Sequence, residues 1–158
     1  MEATSVNKIV ESSKNTKIPP INGEPTYTTI HSLQKLFNAN TSSVSTKFRC
    51  GNLGQLCLTF SPTFYTTLLE TLVMPPPNTR AAPIIPVGAT GIETVTFQYS
   101  HNAAAVAFNN FQNMDCALCQ QLLGTLEENY VRVLHRPHVG YSGSSTLDLI
   151  THLYTMYT

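Results

Sequence analysis

Apolar positions along the chain recur mostly at helical spacing. Tyr27, Ile30, Leu33, Leu36 and Phe37 keep that spacing as far as Asn38, and Asn40 is placed to end the run, which predicts one short amphipathic helix. Thr41 to Gly54 is rich in Ser and Thr and closes with Gly51 and Gly54, a loop composition. Leu56, Leu58 and Phe60 then alternate with Cys57 and Thr59, the period of a short strand. Ser61 before Pro62 has the form of an N-cap with Pro at the first helical position, opening a helix that carries Phe64, Leu68, Leu69 and Leu72. Pro75, Pro76, Pro77, Pro83 and Pro86 fix the backbone and remove donors, so a stiff extended connector follows.

After Gly88, Thr90 and Glu93 stand at capping-box spacing, and two stripes begin. Ile92, Val95, Tyr99, Ala103 and Val106 form one; Phe97, Ala104, Phe108 and Phe111 form the other. A helix of about 20 residues is predicted here. Asn113 or Asp115 is positioned to cap a second helix in which Leu118, Leu122, Leu126, Tyr130 and Leu134 recur every fourth residue. Gly124, with a second capping-box pair at Thr125 and Glu128, marks an expected bend. Arg136 to Ser144 reads as a loop through Pro137, Gly140 and Gly143. Ser145 and Asp148 cap a final helix with Leu147, Ile150, Leu153, Tyr154 and Tyr157 on one face and Asp148, Thr151, His152 and Thr155 on the other. With Leu149 and Met156 added, most of its circumference is apolar, which fits a helix deep in a core or an association face. No Gly closes this helix, so the domain is expected to be truncated at its C-terminus. The fold class expected is mainly α, a multi-helix bundle with at most one short strand or hairpin.

Composition narrows the function. Of 158 residues only 11% are charged, against about 25% in typical soluble domains, and 21 Thr, 12 Ser and 12 Asn take their place. Nine basic and nine acidic side chains cancel, so the chain lacks the charge that drives nucleic-acid binding by counterion release. The balance is uneven: residues 1–49 carry a net +3 and residues 50–158 a net −3. Residues 1–24 combine Ser, Asn, Lys and Pro19-Pro20 with few large apolar groups and are expected to be a disordered tail ahead of a helical domain at 25–158. The longest apolar run, Ala103–Phe108, is far below the roughly 20 residues of a membrane span, and no apolar segment follows the N-terminal charges as in a secretory signal. Cys50, Cys57, Cys116 and Cys119 are too few and too irregular for a secreted disulfide framework, so a cytoplasmic chain with reduced thiols is expected.

Candidate chemistry is sparse. Cys116-x-x-Cys119 and His135-x-x-His138 approach the spacing of a two-Cys, two-His zinc site, and a zinc-organised binding module is the alternative reading of the chain. Against it, the thiols fall inside a predicted helix and the His pair straddles Pro137 with only two residues between. Gly140-Tyr141-Ser142-Gly143 is near a nucleophile elbow but lacks the strand before it, and Asp148 and His152 lie on the following helix. His101 sits on a largely apolar face, His31 reads as exposed, Glu127 and Glu128 as solvated, and Gly51 to Gly54 lacks the Lys of a phosphate loop. No catalytic, cofactor-binding or metal residue is assigned, and no enzyme, cofactor, membrane or small-molecule substrate is expected.

The succession NLGQLCLTFSPTFY (52–65), PIIPVGAT (83–90), DCALCQQLLGTLEENYVRVL (115–134) and STLDLITHLYTMY (145–157) resembles the N-terminal capsid-like region of Gag-type polyproteins of copia-class retrotransposons, in their protist and algal branch. The matching positions are Leu53, Gly54, Ser61, Pro62, Tyr65, Pro86, Gly88 and Thr90, then Ala117, Leu118, Gln121, Leu123, Leu153 and Tyr157. Cys116 and Cys119 depart from the pattern, since such chains usually carry helix formers there. The resemblance implies a capsid-like helical unit that self-associates around the element's RNA. Any RNA contact would be indirect, or weak through Lys8, Lys14, Lys17, Lys35, Lys47 and Arg49.

Overall fold

The computed structural model describes residues 18–43, 58–59, 61, 63, 67, 76, 78–79 and 83–158. Among them are three α-helices, α1 (Tyr27–Ser43), α2 (Gly91–Thr125) and α3 (Thr146–Tyr157), with 3-10 turns at Glu128–Tyr130 and Arg132–Leu134. The mainly α class holds. Extended pairing among the described residues is confined to a single bridge between Arg136 and Gly140.

α1 starts with a reciprocal cap: Thr26 N–H donates to Thr29 Oγ1 at 2.8 Å, and Thr29 N–H reaches Thr26 Oγ1 at 3.4 Å. Thr29 takes the place that Glu or Gln holds in a capping box. The helix does not end at Asn40. It continues to Ser43, because Asn40 and Thr41 are buried and the Thr41 hydroxyl donates to Asn38 O at 3.1 Å, so the polar residues face the fold instead of breaking the helix.

α2 is a single helix of 35 residues where two were expected, roughly 52 Å long. Neither Pro nor Gly interrupts Ile92 to Leu123, and Met114, Ala117, Leu118 and Leu122 carry one buried face straight past the anticipated boundary. Asn113 and Asp115 therefore cap nothing in α2. The helix begins with the expected Thr90–Glu93 capping box. Gly88, at φ 83° in the preceding turn, supplies a left-handed backbone that side chains disfavour. The far end stops at Thr125 instead of running through Tyr130 and Leu134. Ile21 N–H donates to Thr125 O at 2.8 Å and the Thr125 hydroxyl to Leu122 O, occupying carbonyls that the next turn would use. Those bonds also displace the Thr125–Glu128 box, and Leu126 turns extended.

Ile18 and Ile21, inside the expected tail, pack against the core; residues 1–17 lie outside the described residues. Leu58 and Thr59 are buried in a turn, not a strand, while Leu56 and Phe60 lie outside the description. Of the helix expected after Ser61, Thr63 and Thr67 are helical, and Phe64, Leu68, Leu69 and Leu72 lie outside the described residues.

α3 keeps its expected cap: Asp148 N–H donates to Ser145 Oγ at 3.1 Å and Ser145 N–H to Asp148 Oδ2 at 2.9 Å. It packs against both α1 and α2. Leu149, Ile150 and Leu153 are completely covered between Ile30, Leu33 and Phe37 of α1 and Met114, Leu118 and Leu122 of α2. Its broad apolar circumference is thus the mark of a central helix with two partners, and it is not a free association face.

Candidate functional site

The four residues of the zinc reading are not brought together. Cys119 is half-buried, with Sγ 3.2 Å from Thr146 Oγ1 and 3.8 Å from Ser144 O. Burial pushes its thiol up to about 11, so at neutral pH it keeps the proton that a metal ligand or nucleophile must lose. Cys116 is exposed on α2. His135 sits edge-on to Tyr141, ring centres 5.1 Å apart, and His138 is exposed at the tip of a loop closed by paired Arg136–Gly140 backbone bonds of 2.9 Å. Among the described residues no three His, Cys, Asp or Glu side chains converge as metal ligands would.

The serine elbow also lacks its partners. Ser142 Oγ donates to Val139 O at 2.6 Å within the loop. Asp148 belongs to the α3 cap, and His152 Nε2 lies 3.1 Å from Tyr130 O, where it serves as a donor. His31 is exposed and stacked on Tyr27, and His101 is half-buried on α2. Glu127 and Glu128 are exposed, as read from their position.

Asp115 has a role that spacing along α2 did not suggest. Its Oδ1 accepts the Thr146 N–H at 2.9 Å, and its backbone O accepts the Thr146 hydroxyl at 3.1 Å. The hydroxyl oxygen is then free to accept from Cys119, so Asp115, Cys119 and Thr146 form a clasp that joins the start of α3 to α2. Burial raises the Asp115 carboxyl, the Thr146 bonds lower it in part, and the Asp148 charge raises it further. The folded carboxyl therefore holds its proton to a higher pH than the unfolded one. The cost of ionising it is absent below the ordinary value of 3.8, grows as pH rises toward the folded value, and is constant above that. Asp115→Asn retains an acceptor for Thr146 N–H and removes this cost. Its urea midpoint is expected to equal the wild type's in strong acid and exceed it at neutral pH; a lower neutral midpoint would mean that the charge-assisted bond outweighs burial.

A second polar chain crosses the interior. Tyr154 OH donates to Gln34 Oε1 at 2.8 Å, Gln34 Nε2 to Thr59 O at 3.0 Å, and the Thr59 hydroxyl to Asn38 Oδ1 at 2.5 Å. It ties α3, α1 and the turn at 58–59 together.

The distinctive surface lies at the other end of α2. Ile92, Val95 and Tyr99, one side of the helix at i, i+3 and i+7, are 82%, 64% and 76% exposed, and Ile84 and Val87 just ahead of the helix are also exposed. The same stripe continues through Ala103 and the half-buried Val106. The buried residues of α2 begin only at Met114, so the first part of the helix reaches past the core with its apolar stripe uncovered. No Lys or Arg occurs between Arg80 and Arg132. The sequence had shown this stripe, but assigned it no partner and placed the wide apolar face on α3.

No family model matches the chain, and no curated protein or solved structure matches it. The resemblance to Gag-type chains accordingly rests on the residue pattern alone. Among the described residues no helix is long and apolar enough to cross a membrane.

Proposed function

We propose that the chain is a structural assembly unit, Gag-like in kind, whose copies associate through the uncovered stripe of α2. The observation that supports this most is the alignment of Ile92, Val95 and Tyr99 on one exposed side of a helix whose other half is locked into the bundle. Solvent-facing apolar side chains in register are characteristic of surfaces that other protein covers. The candidate nucleophile and the half-buried thiol, in contrast, are engaged in local bonds that shape a loop and a helix start. In this reading the role is structural and not catalytic, and any contact with RNA falls to the lysines of the N-terminal region or to other proteins.

Light scattering coupled to gel filtration over a wide concentration range tests it. The wild-type mass is expected to rise with concentration, and Ile92→Glu combined with Tyr99→Glu to hold the protein monomeric with unchanged helical circular dichroism. A wild type that stays monomeric throughout would overturn the proposal.

A further inference from the structure

Resting on that reading, we infer that the occupant of the α2 stripe is the same stripe of a second copy, laid antiparallel across a two-fold axis near Tyr99, so that assembly starts from a closed dimer. The chemistry of the surface selects the class of partner. From Gly91 to Phe111 the acidic and basic side chains are Glu93 and His101, with no Lys or Arg, and the nearest Lys or Arg residues in sequence are Arg80 and Arg132. A phosphate backbone or an anionic lipid surface finds no cation there, whereas amphipathic helices that bind such membranes are rich in Lys and Arg. An uncharged apolar protein surface is the complement, and the stripe itself is one.

The dimensions agree. The segment from Gly91 to Phe111 extends roughly 30 Å. Ile92, Val95 and Tyr99, with Ile84 and Val87, leave on the order of 800 Å² uncovered per copy, the scale that each partner buries in a standard stable interface.

Direction follows from side-chain size and charge. Along the stripe the bulkiest side chains, Ile92 and Tyr99, come first and the smallest, Ala103, follows, with a valine at 95 and another at 106. An antiparallel pair about Tyr99 sets Val95 of each copy against Ala103 of the other and Ile92 against Val106, with the two Tyr99 rings meeting near the axis; a parallel pair would set Ala103 against Ala103 and leave a gap there. Antiparallel packing also separates the two Glu93 carboxylates, opposes the helix dipoles and sends the two bundles to opposite ends. Because each copy offers the same patch, the contact is self-complementary and closes at two copies.

Benzoylphenylalanine placed at Ile92 in the full chain reads the direction. Irradiation and chymotryptic peptide mapping are expected to find cross-links to residues 103–110 of the second copy, in a species with the mass of a dimer. Tyr99→Glu is expected to weaken dimerisation at least a hundredfold, while Val133→Glu, on an exposed turn away from the stripe, leaves it unchanged. Cross-links to residues 90–96, or growth past the dimer without a plateau, would overturn the antiparallel pair and leave the assembly reading standing. A strictly monomeric wild type would overturn both.

Discussion

Leu153→Ala is expected to lower folding stability by about 3–5 kcal/mol, the range for truncating a buried leucine whose surroundings cannot collapse into the space. Leu153 is completely buried on α3, which packs against both α1 and α2, so the cavity opens inside their shared core. Single domains have only about 5–15 kcal/mol to lose, so urea unfolding followed by circular dichroism should show a clearly lowered midpoint or a partly unfolded sample at the start. Met156→Ala on the same helix is the control: its side chain is 59% exposed and its removal should change the midpoint by less than about 0.5 kcal/mol. Similar losses for the two variants would contradict the central position of α3.

Gln34→Ala is expected to cost about 2–3 kcal/mol, more than the loss of its aliphatic portion, because it strands two groups at once. Tyr154 OH would lose its acceptor and Thr59 O its donor in a part of the fold where Gln34 itself is only 8% exposed. Tyr154→Phe removes one partner and leaves the Gln34–Thr59 bond in place, so it should cost less. A double-mutant cycle on the pair is expected to show a coupling of about 1 kcal/mol, and additivity would mean that the two side chains act independently.

Local signals in the sequence were reliable where the physics is local. The Thr90–Glu93 and Ser145–Asp148 boxes appear as read, since a side chain and a backbone N–H three residues apart need no other part of the molecule to meet. The apolar register of α1 and α3 was legible for the same reason. Asp115 was misread because a short acidic side chain can serve the start of its own helix or of another, and spacing along one segment does not distinguish them; here it serves α3. Gln34 gave no signal at all, its partners lying 25 and 120 residues away. The apolar girth of α3 showed that it must be covered, yet not by how many neighbours. The fold supplies both, and the exposed apolar stripe lies on α2 instead.

The stretch without Lys or Arg has a consequence for the durability of α2. Trypsin-like proteases cut after Lys and Arg, and between Arg80 and Arg132 they find no such bond. The whole of α2 therefore escapes this class of digestion as one peptide even when the chain is unfolded, its apolar stripe undivided.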